Sequence, residues 1–103
     1  MSQIELLDII RKKPGLYLGK KSLHLLRAYM NGYLLGKAES IGDGESDIFL
    51  DFQKYIEDKF SMSQTPYGWV EIISSSCSSD EESFDEFFKL YDDFNKEFML
   101  INK

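Results

Sequence analysis

The sequence predicts an all-α fold, a single small domain of four to five helices over residues 1–103. Three observations carry that expectation. Apolar residues recur at three- and four-residue spacing in successive segments. Ser and Glu three residues apart open two of those segments as capping boxes. The connections are short and punctuated by Pro and Gly. A chain of 103 residues can bury one hydrophobic core and has no room for a second.

The first helix opens at Ser2, with Glu5 completing the capping box. Ile4, Leu7 and Ile10 share a face, flanked by Leu6 and Ile9. Arg11, Lys12 and Lys13 place cations in the last turn, where the helix dipole favours them, and Pro14-Gly15 stops the helix. Leu16-Tyr17-Leu18-Gly19 reads as an extended apolar connector laid across the core, with Tyr17 or the Leu pair inserted. Ser22 caps a second helix whose stripe is Leu23, Leu26, Met30, Tyr33 and Leu34. Leu25 and Tyr29 widen that stripe, which predicts a central helix touched on more than one side. Gly32 and Gly36 lower helix stability and predict a neighbouring backbone packed close against them.

Residues Glu39 to Ser46 form a loop turning at Gly42-Asp43-Gly44. Ser46 or Asp47 then caps a third helix bearing Phe49, Phe52, Ile56 and Phe60, with Tyr55 beside them. Thr65-Pro66 suits the N-cap and first position of a fourth helix, with Trp69, Ile72, Ile73 and Cys77 on its face. Val70 and the two Ile residues also suit a strand; helical neighbours and the lack of a partner strand favour the helix. The serines at 74–76 and 78–79 end it. Ser79 with Glu82 makes the second capping box, and Asp80, Glu81 and Glu82 suit the start of the last helix, which runs to about Met99. Phe84, Phe87, Phe88, Tyr91, Phe94 and Phe98 line one of its faces; Asp85, Glu86, Asp92 and Asp93 line the other. The second and last helices pair through Leu26, Met30, Tyr33, Phe84, Phe87, Phe88 and Tyr91.

Composition narrows the function classes. Aromatic residues at 15% argue against disorder despite 29% charged residues. No apolar run approaches the roughly 20 residues needed to cross a bilayer, and the N-terminal residues lack a basic stretch followed by an apolar one, so a cytoplasmic protein is expected. Cys77 is the sole cysteine, and His24 is the one other soft ligand, so neither a disulfide nor a metal centre is expected. No cofactor is implied, because Gly42-Asp43-Gly44 lacks the lysine and strand context of a phosphate loop. The net charge of −6 is unevenly spread. Residues 1–41 hold seven basic and three acidic residues, net +4; residues 42–103 hold five and fifteen, net −10. An acidic portion of that size repels nucleic acid and membrane phosphates and attracts basic proteins.

No motif identifies a reaction. The carboxylates sit at a helix start and on its solvent face, where acid–base catalysis finds no cleft to shift their pKa values. His24 is the single general-base candidate; between Leu23 and Leu25 it reads as structural. A non-enzymatic protein is therefore expected.

Two resemblances bear on function. Arg11-Lys12-Lys13-Pro14-Gly15-Leu16-Tyr17-Leu18-Gly19 resembles a nine-residue opening segment of the ATPase subunit of type II topoisomerases. The rest of that ATP site has no counterpart, so the match implies shared local geometry and no nucleotide binding. A second resemblance spans most of the chain: Pro14 to Gly19, Ser22-Leu23 to Leu26, Gly32-Tyr33, Trp69 before Ile72-Ile73, then Phe87-Phe88, Leu90 and Phe94. In that order these residues look like small bacterial immunity proteins of polymorphic-toxin and contact-dependent growth inhibition systems. The resemblance implies binding to a cognate toxin domain, in many cases a nuclease with a basic substrate cleft. An acidic surface would enter such a cleft as a phosphate surrogate, and the residues expected to form it are Asp80, Glu81, Glu82, Asp85 and Glu86, with Asp43, Glu45 and Asp47 second. The alternative is a non-enzymatic interaction or regulatory module, homodimeric in one version, using exposed aromatics such as Tyr67 or Tyr17.

Overall fold

A computed structural model describes residues 2–41, 48–62 and 65–101, with side chains over 2–36, 48–62 and 65–97. Six helices follow in order: α1 (Gln3–Lys12), α2 (Pro14–Leu18), α3 (Leu23–Ile41), α4 (Ile48–Lys59), α5 (Trp69–Ser75) and α6 (Asp80–Ile101). There is no strand among the described residues. The all-helical expectation holds, with one helix more than the four to five expected.

The extra helix is α2, formed by the segment expected to be an extended insert. Pro14 sits at its start, where its fixed φ suits a helix and its missing N–H costs nothing. Gly19 closes it at φ 86°, a left-handed conformation that glycine adopts without strain. Leu18 packs against the core, while Leu16 points into solvent at 71% exposure and Tyr17 is also exposed.

The core joins Leu6, Leu7 and Ile10 of α1, Leu23, Leu26 and Met30 of α3, Phe49, Phe52 and Ile56 of α4, Trp69, Val70, Ile72 and Ile73 of α5, and the aromatic face of α6. Phe84, Phe87, Phe88, Tyr91 and Phe94 are all buried, as their spacing predicts; the Phe98 side chain lies outside the described residues. The rings fill this space against one another. Phe52 meets Trp69, Phe87 and Phe94 edge-on at 5.3, 5.4 and 5.4 Å, and Trp69 stacks on Phe49 and Phe87 at 5.0 Å each. Both geometries suit the ring quadrupole. Burying each large side chain contributes on the order of 1.5–3 kcal/mol before chain entropy is subtracted.

Several local expectations are revised. Leu25 and Tyr29 are exposed and do not widen the buried stripe of α3, but the helix is central as expected, packing against α2, α5 and α6. A Cβ built at Gly32 or Gly36 meets nothing within 4 Å, so no backbone packs against either glycine among the described residues. Helix α3 continues through Glu39, Ser40 and Ile41, shortening the expected loop. Helix α5 starts at Trp69 behind Gly68, not at Pro66; the Thr65 hydroxyl instead accepts from the Tyr67 N–H at 3.1 Å, closing a turn. Ser46 and Asp47, expected to cap α4, lie outside the described residues.

Helix starts knit the molecule together. Ser2 caps α1 by accepting from the Glu5 N–H at 3.1 Å, and Ser79 caps α6 by accepting from the Glu82 N–H at 3.0 Å, as both capping boxes predict. Three other starts borrow partners from distant residues. Buried Gln3 accepts from the Ile48 N–H of α4, Gln53 accepts from the Trp69 N–H of α5 at 2.7 Å, and Asp80 serves α3.

Candidate functional site

Two surfaces near the start of α6 carry the chemistry. The first is the carboxylate group itself. Asp80 turns inward, contrary to its expected place on the solvent face. The Ser22 hydroxyl donates to one of its oxygens. The other oxygen accepts from the Leu23 N–H at 3.0 Å and the His24 N–H at 3.4 Å, and stands 2.9 Å from His24 Nδ1. An ionised carboxylate only accepts, so the proton on that ring belongs to Nδ1. Partial burial by itself raises the Asp80 pKa, but the bonds from Ser22 and His24 outweigh it and hold the group below the ordinary carboxylate range.

Asp85 is paired with Lys21, Oδ1 to Nζ 2.8 Å, and that bond raises the Lys21 pKa. Further along α6, Asp92 takes the Arg11 guanidinium through two bonds of 2.9 and 2.6 Å, the cause of the raised Arg11 pKa. Arg11 also lies 5.1 Å from the Phe88 ring centre. Glu82 reaches back to accept from the Ser78 N–H at 3.0 Å. Glu81 is exposed and Glu86 half-buried, and neither has an ion-pair partner among the described residues. Asp43, Glu45 and Asp47 lie outside the described residues.

The second surface is a cleft of about 270 Å³ between α3 and the start of α5, which sequence spacing does not reveal. His24 is at its rim, with 58% of its side chain exposed. Arg27 and Trp69 form its walls, with Gln53 and Glu71 beside them. The Arg27 guanidinium lies over the Phe49 and Trp69 rings, 5.2 and 5.4 Å from their centres. Arg27 Nη1 and Trp69 Nε1 are both buried and have no hydrogen-bond partner. A buried donor left unmade costs about 1–3 kcal/mol, more when charged. Gln53, by contrast, is fully engaged: it accepts from the Trp69 N–H and donates to the Tyr67 carbonyl and to Glu57. On the far side of Glu71, Met62, Tyr67 and Ile72 line an apolar groove of about 290 Å³, with Tyr67 59% exposed.

No three His, Cys, Asp or Glu side chains converge to hold a metal ion among the described residues. Cys77 is a half-buried free thiol beside the core. Among the described residues no helix is long and apolar enough to cross a membrane. Fold and site thus define a small helical protein built on an aromatic core, with an acidic helix start beside a cationic cleft. Comparison with known proteins finds no matching family model, no matching curated protein and no matching solved structure.

Proposed function

We propose that this is a non-enzymatic immunity protein that binds the toxic domain of a cognate bacterial toxin, a nuclease in the leading version, and occludes its active site with acidic side chains. The observation that carries the reading is the rigid start of α6. Glu81, Glu82 and Glu86 project from a helix anchored by five buried aromatic residues, and Glu81 and Glu86 are unpaired among the described residues. Carboxylates already fixed on a scaffold lose little freedom when a basic cleft closes over them, and their charge speeds encounter. Asp85 enters the same surface behind its exposed pair with Lys21, an interaction weak enough in water to be exchanged. Asp80 acts indirectly, holding the surface against α3.

The test is co-expression with the C-terminal domain of the protein encoded by the adjacent upstream gene. Growth arrest by that domain, relieved by this chain, is the expected outcome. Glu81→Lys/Glu82→Lys/Glu86→Lys should abolish protection and flatten the salt dependence of binding. Full protection by the triple variant would remove the acidic surface from the reading. The apolar groove of Met62, Tyr67 and Ile72 favours a second reading, an interaction module that self-associates there. Light scattering after gel filtration separates the two, since only a dimer sensitive to Tyr67→Ser supports the second.

A further inference from the structure

We propose that the cleft between Arg27 and Trp69 is a carboxylate-binding site. The guanidinium of Arg27 is held by ring contacts alone and makes no hydrogen bond or ion pair among the described residues. Trp69 is 2% exposed, yet its indole N–H has no acceptor. Two unsatisfied donors therefore belong to residues that wall one cleft, and an oxyanion is the group that satisfies both. Both donor atoms are buried, so a ligand reaches them only as the guanidinium shifts on the Phe49 and Trp69 rings it covers, a movement that breaks no hydrogen bond.

Charge selects the class of oxyanion. One guanidinium stands there against Glu71, so a singly charged, flat carboxylate is matched and a doubly charged phosphate is over-charged. A volume of about 270 Å³ suits a small carboxylate or the free end of a peptide chain. Glu71 folds back over the start of α5, its carboxylate oxygen 3.0 Å from the place a Cβ on Gly68 would take. That carboxylate opposes an incoming one without pairing with Arg27. The site is independent of the immunity reading: it uses none of the acidic residues of α6, and either idea survives the other's failure.

Trp69 is the only tryptophan, so its indole N–H gives a single cross-peak in a proton–nitrogen correlation spectrum and reports directly from the cleft. The probes are acetate, N-acetyl-leucine and N-acetyl-leucinamide, added to the whole chain at low salt. A saturating downfield shift with an affinity of about millimolar is expected for the two carboxylates and not for the amide. Equal affinity for both acids identifies a free small carboxylate as the ligand; tighter binding of N-acetyl-leucine identifies a chain end. Arg27→Gln should weaken binding about tenfold or more. Glu71→Gln should strengthen it about two- to fivefold. A linear shift without saturation, or equal response to the amide, overturns the site. If Arg27→Gln loses its dispersed amide spectrum, Glu71→Gln decides alone, and an unchanged affinity in that variant refutes the proposal.

Discussion

Replacing Asp80 by Ala should destabilise the protein far more than replacing any neighbouring carboxylate. Asp80 closes the start of α3 from a distance of 57 residues, accepting from the Leu23 and His24 N–H groups and from the Ser22 hydroxyl. Loss of a helix-capping acceptor costs about 1 kcal/mol. Ser22 is 1% exposed, so its hydroxyl hydrogen is left buried without an acceptor, for a further cost of about 1–3 kcal/mol. The sum is about 2–4 kcal/mol. With a urea slope of about 1–3 kcal/mol per molar, the unfolding midpoint falls by about 1 M or more. Glu81→Ala, at an exposed position with no ion-pair partner among the described residues, should change stability by less than about 0.5 kcal/mol. The charge itself is tested through pH. The folded-state pKa of Asp80 is depressed, so its contribution is present above the unfolded carboxylate value and lost as pH falls through the lower folded value. The stability gap between the natural protein and Asp80→Asn should therefore be full at neutral pH and close below about pH 4. Urea unfolding of Asp80→Ala within about 0.5 kcal/mol of the natural protein, or a gap to Asp80→Asn that persists undiminished into acid, would refute the claim that Asp80 joins α3 to α6.

Gly32→Ala should raise stability by about 0.5–1 kcal/mol, because the added methyl meets open space and a helical glycine carries an entropic cost; a loss in thermal or urea unfolding would show a contact missed at that position. Tyr91 should ionise only above the ordinary tyrosine value of 10, since burial raises its pKa. An acid whose folded pKa is raised contributes stability below its unfolded value and loses it as pH rises, so its absorbance change near 295 nm should coincide with alkaline unfolding. A Tyr91→Phe variant whose alkaline absorbance and unfolding curves match those of the natural protein would contradict this reading of its burial.

The helical fold and most of the core were legible because both follow from local periodicity. The five described rings of α6, the Phe49–Phe52–Ile56 stripe of α4 and the Ser2 and Ser79 caps each depend on residues within a turn or two. What escaped was set by partners distant in sequence. Ring spacing alone cannot show that Leu25 and Tyr29 face outward, because the width of a helix's buried face depends on how many neighbours it meets. Pro14-Gly15 reads as the stop of α1 and Leu16 to Gly19 as an extended connector, yet Pro14 and Gly19, five residues apart, delimit a helix. The cleft was invisible for a similar reason: Arg27 and Trp69 come from different helices, and nothing in their spacing marks two donors that meet no acceptor.

Charge shows the same dependence on distance, with more consequence for function. Read along the chain, a basic portion precedes an acidic one, and the acidic surplus looks available to a partner. In the fold, Arg11 meets Asp92, Lys21 meets Asp85 and His24 meets Asp80, so each pair joins the N-terminal portion to α6. Much of the asymmetry is thus taken up by contacts between the N-terminal portion and α6. Exposed pairs of this kind contribute little each; the five buried rings decide which face of α6 turns inward, and the pairs follow that register. Unpaired charge is therefore a better guide to a binding surface than total charge. On that criterion the acidic surface at the start of α6 contracts to Glu81, Glu82 and Glu86, while the neighbouring cleft contributes Arg27, stacked on two rings with no ion-pair partner among the described residues. The acidic start of α6 and the Arg27 cleft lie at one α3–α5–α6 junction but present opposite signs, so a basic partner and a carboxylate would engage separate groups there.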